Sequence, residues 1–145
     1  MSEITSMKAP GAGEKGWQAV DKQYLQEVTL DFSDTGALTT DSVVVFNVKA
    51  KQLLMGMLVE VVTPEGATAT IDIGLTGGDV DRFIDGANIN GAAGTVQKSG
   101  DAGTKEVIVA EGGYYFSAAD NIDLLPLNDL DTAVIKVFAW FQDLS

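Results

Sequence analysis

The sequence predicts an all-β chain: an antiparallel β-sandwich, jelly-roll-like, behind a flexible N-terminal arm. Three observations carry this. From Val20 onward, short apolar runs rich in β-branched residues alternate with clusters of turn residues. Within "ATATIDIG" the apolar set Ala67, Ala69, Ile71 and Ile73 alternates with Thr68, Thr70 and Asp72, the period of two expected of a half-buried strand. The strand–helix alternation that builds parallel sheets is missing from the pattern.

Taken in order, residues 1–19 read as the arm. They are polar, contain Pro10, Gly11, Gly13 and Gly16, and hold too few apolar side chains to fold alone. Residues 20–145 read as one domain, long enough to bury a core without cross-links. The expected strands are "EVTLDF", "SVVVFNVKA", "MGMLVEVVT", "ATATIDIGL", "GTVQK", "TKEVIVA", "GYYFSA", "NIDLLPL" and "TAVIKVFAWF". Between them "SDTGALTTD", "PEG", "SGDAG", "AEGG" and "LNDLD" supply Gly for positive φ and Asp, Asn or Ser for side-chain turns. One or two helical turns are expected only in "VDRFIDGA" and "VDKQYLQE".

The last strand is apolar on both faces. Ile135, Val137, Ala139 and Phe141 share one face, while Val134, Phe138 and Trp140 share the other, interrupted by Lys136. Such a strand is either buried on both sides or meets another chain. "MGMLVEVV" repeats the ambiguity, with Leu58 and Val62 opposing Met55, Met57, Val59 and Val61.

Composition removes whole function classes. The formal charge is −12, and residues 1–20 sum to zero, so the excess lies on the body, which repels phosphate backbones and anionic lipid. Neither a nucleic-acid nor a membrane partner is expected. The chain has no cysteine and no histidine, which removes zinc centres built on those ligands, thiol chemistry and His-dependent triads. No apolar run reaches the ~20 residues of a membrane span, and the N-terminus lacks an apolar region of signal-peptide type. The expectation is a protein made and used without secretion.

One stretch has the look of a site. "GLTGGDVDRFIDGANING" puts Asp79, Asp81, Asp85 and the sole arginine, Arg82, among five glycines. A P-loop would place a lysine after the paired glycines, where this chain has Asp79. Asp79, Asp81 and Asp85 are the candidate calcium ligands, but an EF-hand spacing would put Phe83 fifth and Asn90 in the twelfth position, which needs glutamate. Carboxylate-pair hydrolysis singles out no residue, and no catalytic residue and no cofactor are expected. The aromatics "YYF" alternate faces on a strand and make no common stacking platform. The stretch therefore reads as a structural loop: Gly74, Gly77, Gly78 and Gly86 turn the chain, Phe83 and Ile84 pack a short helical turn on the sandwich, and the aspartates cap it or face water.

The segments "TIDIGLTGGDVDRFIDG" and "DNIDLL", with the terminal strand "AVIKVFAWF", resemble the capsid decoration (cement) proteins of tailed bacteriophages over residues 27–141. The resemblance implies a non-enzymatic β-sandwich subunit that forms a homotrimer, binds the major capsid protein on the outer capsid surface and braces the shell. It would be made in the host cytoplasm. Trp17, Val134, Phe138 and Trp140 are then the candidate oligomer or capsid contacts. The alternatives are a phage head-fibre or tail component, and a soluble acidic binding module, calcium-dependent and carbohydrate-directed.

Overall fold

The computed structural model describes residues 22–98 and 113–145. Trp17, the rest of the expected arm and the expected strand "TKEVIVA" lie outside them. Nine strands follow in chain order: β1 (Gln23–Asp31), β2 (Val43–Val48), β3 (Gln52–Thr63), β4 (Thr70–Gly74), β5 (Ile84–Asn88), β6 (Val96–Lys98), β7 (Tyr114–Phe116), β8 (Asp120–Pro126) and β9 (Val134–Asp143).

They form two antiparallel sheets. The first has the order β1-β9-β3-β6, with β7 also on β3, and the second has the order β2-β8-β4-β5. β6 pairs with Leu58–Glu60 and β7 with Gln52–Leu54, so both run along the same edge of β3 as two halves of one interrupted strand. Counted that way, the eight strands have the jelly-roll order, in which successive strands alternate between the sheets except for β4 and β5, which pair within the second.

The core is the set of inward-facing residues that the alternation predicts. Ile71, Ile73, Ile122 and Leu124 of the second sheet meet Leu54, Met57, Val59, Ile135, Val137 and Phe141 of the first, and all are essentially inaccessible. Each such side chain contributes about 1.5–3 kcal/mol over an exposed one. Bulges adjust the pattern. Val45 is an extra residue in β2, which lets both Val45 and Phe46 turn inward. Met55 is extra in β3, so Leu54 and Met57, three apart, both reach the core.

Two local expectations are corrected. "VDKQYLQE" is not helical where it is described: Gln23–Glu27 belong to β1, whose nine residues all pair with β9. Alternation decides it, because Tyr24, Gln26, Val28 and Leu30 turn towards the core while Leu25, Glu27 and Thr29 are exposed. "VDRFIDGA" makes a turn and then β5, with no helix. Phe83 N–H donates to the Ile73 carbonyl (3.0 Å) and Ile84 pairs with Ile73, so the ladder takes the backbone groups a helical turn would have used.

Candidate functional site

The outer face of the first sheet collects the apolar residues that the core does not use. β9 lies between β1 and β3 and is buried on one face only: Ile135, Val137 and Ala139 are fully buried and Phe141 nearly so. Its other face is open, with Val134 and Phe138 half-buried and Trp140 38% exposed. Register adds neighbours to each. Trp140 lies between Leu25, 51% exposed, and Gly56, across which the indole lies with Cε3 3.7 Å from where a Cβ would stand. Phe138 lies between Glu27 and Leu58, and Lys136 between Thr29 and Glu60. Lys136 Nζ stands 3.8 Å from Glu27 Oε1, an exposed pair that interrupts the patch between Val134 and Phe138.

Sequence patterning reaches Val134, Phe138 and Trp140. It also reaches Leu58, on the second face of "MGMLVEVV", and misses Leu25, whose membership depends on cross-strand register. The structure brings the three β9 residues together on one open face, with Trp17 outside the described residues.

The Gly74–Gly91 stretch is built around close packing. A Cβ at Gly74 would stand 2.5 Å from the Val80 carbonyl carbon and also against the Asp79 carbonyl oxygen, so the loop backbone lies directly on this glycine. Gly77 has φ +82°, and Gly86 has φ +70°. Gly86 sits in a bulge: Asp85 and Gly86 together oppose Asp72, whose Oδ1 accepts the Gly86 N–H at 2.8 Å. A Cβ at Gly78 would meet Leu75 at an ordinary 3.7 Å, so this position requires no glycine. Phe83 and Ile84 are fully buried. Phe83 packs edge-on to Tyr114 at 5.3 Å, and the Arg82 guanidinium lies 5.2 Å from the centre of the same ring.

The bulge groups the carboxylates of Asp72, Asp81 and Asp85 within 4.8 Å of one another. Asp79, a candidate ligand by sequence, is not in that group; its carbonyl accepts the Leu75 and Arg82 N–H groups and closes the turn. Asp72 was invisible as a member because it reads as the polar alternate of a strand. With one oxygen each in the group, the three carboxylates supply half or less of the about six to eight oxygens calcium takes, and Arg82 is their sequence neighbour. The chain has no histidine or cysteine to act as an imidazole base or a thiol nucleophile.

A third concentration of polar groups closes one end of the sandwich. Gln52, 4% exposed, accepts the Tyr24 hydroxyl and donates to Asp143 Oδ1 at 2.9 Å. The Ser145 hydroxyl and N–H, with Gln52 and the Lys22 charge, hold Asp143 down to about 2. Burial, helped by the Asp143 charge, pushes the Tyr24 phenol up.

No protein family matches the chain, and no curated protein does. Solved structures do. A chain of the acidic stable capsid structure of Helicobacter pylori bacteriophage KHP30 superposes with a TM-score of 0.62 at 10% identity, over 85% of this chain and 89% of that one. The chain has a fold found in phage capsids. A chain of the capsid of Ralstonia phage GP4 matches with a TM-score of 0.58 at 9% identity, over 85% of each chain. One in the cyanophage Pam1 capsid asymmetric unit matches at 0.55 and 14%, over 84% of each. In all three the similarity extends over nearly the whole partner chain, so the sandwich is matched as a unit.

Proposed function

We propose that the protein is a non-enzymatic structural component of a tailed-bacteriophage virion, which binds the outer surface of the capsid as a homotrimer and stabilises the shell. The major capsid protein is its partner. The observation that carries this reading is the likeness of the whole sandwich to chains of three phage capsids at TM-scores of 0.55 to 0.62.

The open face of β9 supports the oligomer. A chain of net charge −12 repels its own copies except where they meet through surface of low net charge, and Leu25, Val134, Phe138 and Trp140 provide apolar area on a face where Lys136 offsets Glu27. Three copies around an axis would bury these faces against one another or against capsid subunits.

The test is co-sedimentation with purified capsid shells that lack the protein, followed by heating. Saturable binding and a higher disruption temperature are expected, and both should be lost with Trp140→Glu. Shells that neither bind the wild-type protein nor gain heat resistance would contradict the proposal.

A further inference from the structure

At the open edge of the sandwich, where β1 and β2 lie, a groove separate from the apolar face has the composition of a binding site. Two cavities of about 240 and 510 Å³ adjoin there and share Asn47 and Lys49. The floor of the smaller one is rigid. Tyr24 stacks on Phe141 with ring centres 5.3 Å apart, and its hydroxyl, Gln52 and Asp143 form the hydrogen-bonded chain already described.

The walls are different. The side chains of Gln26, Asn47 and Lys49, and of Asn121 in the larger cavity, make no hydrogen bond among the described residues. Asn47 stands directly opposite Asn121 in the β2–β8 ladder, so the two amides project on the same side. The floor is ordered before a ligand arrives, and the unengaged amides are free to turn to one at the cost of their own side-chain ordering.

The chemistry selects the ligand class. Each amide offers donors and an acceptor side by side, Lys49 only donates, and ionised Asp143 only accepts. A ligand satisfying them must itself present closely spaced groups that both donate and accept, which describes vicinal hydroxyls. An anion would meet Lys49, with Lys22 beside Asp143, against Asp120 and Asp143 on a chain of net charge −12. An apolar ligand would strip water from the amides without replacing it. We infer that this groove binds a neutral carbohydrate, with the amides of Gln26, Asn47 and Asn121 reading its hydroxyls. This function is independent of capsid binding and uses none of the loop aspartates.

The experiment titrates the ¹⁵N-labelled full chain with maltotriose, cellotriose and triacetylchitotriose, with sialyllactose as the anionic comparison. At least one neutral sugar should shift the amide signals of Asn47, Lys49 and Asn121, and sialyllactose should do so less. Asn47→Ala and Gln26→Ala should each weaken that binding roughly three- to tenfold, the loss of one or two hydrogen bonds. The thermal midpoint of Asn47→Ala should stay at the wild-type value, since that exposed side chain bonds nothing within the fold. The inference is overturned if no neutral sugar shifts these signals at millimolar concentration, if the shifts map elsewhere, or if both variants bind as the wild type does.

Discussion

The carboxylate of Glu65 accepts the backbone N–H of Ala133 at 3.0 Å, with the N–H groups of Asp131 and Thr132 at 3.2 Å beside it. Glu65 is 5% exposed. Its own N–H donates to the Ile89 carbonyl at 2.9 Å, and its carbonyl accepts the Asn90 side-chain amide. One residue thus ties together the turn after β3, the turn after β5 and the turn before β9.

Glu65→Ala would leave the cluster of N–H donors in a buried place without its acceptor, at a cost on the order of 3 kcal/mol. Glu65→Gln keeps one acceptor oxygen but turns an NH₂ towards donors, so it should fall between the wild type and Ala. Urea denaturation of the three proteins checks the order.

The glycines of the Gly74–Gly91 stretch separate two kinds of requirement. Gly77 has open space where a Cβ would go and a φ of +82°, so Gly77→Ala should cost only about 1 kcal/mol. Gly74→Ala must move the backbone of Asp79 and Val80 and should cost about 3 kcal/mol or more. Equal melting temperatures for the two variants would contradict this packing.

Much of the fold was legible because period-two alternation is local. "TIDIG", "NIDLLP" and the terminal strand each show which side faces the core without knowledge of their neighbours. The two helical expectations failed for non-local reasons. β1 is set by nine pairings with β9, more than a hundred residues away, and β5 begins at a bulge whose N–H is taken by Asp72, fourteen residues upstream. Glu65 sits in "PEG", which reads as a turn because its acceptor role depends on residues 131–133. For the candidate site, Phe138 and Trp140 were visible as a second apolar face. Leu25 entered only through its pairing with Trp140, and the polar groove only through the meeting of β1, β2 and the C-terminal strand.

Acid sensitivity follows from Asp143. Its carboxyl lies at about 2 in the fold against an ordinary value of 3.8, because Ser145 and Gln52 hydrogen-bond the ionised form. A lowered carboxylate stabilises the fold above the unfolded value, and that contribution disappears as the pH falls from about 4 through 2. Asp31 and Asp131 are also lowered, by the hydroxyls of Ser33 and Thr132 first, and act in the same direction. The melting temperature should therefore fall through this window, and less steeply in Asp143→Asn than in the wild type.

Asp123 is a liability in the second sheet. It is 8% exposed, and its Oδ1 is buried without a hydrogen-bond partner among the described residues. Removing the charge should relieve that burial, so Asp123→Asn is expected to be stabilising by up to about 1 kcal/mol, read as a higher melting temperature. A clear loss of stability would show that the carboxylate is needed where it stands.

The open face of β9 carries the account, and solution mass tests it most directly. Light scattering coupled to size exclusion should give three times the 15.2 kDa chain mass for the wild type, and the single-chain mass for Leu25→Glu/Trp140→Glu with the fold intact by circular dichroism. A wild-type protein that runs as a monomer at all concentrations, or a trimer untouched by both substitutions, would contradict the assignment of this face.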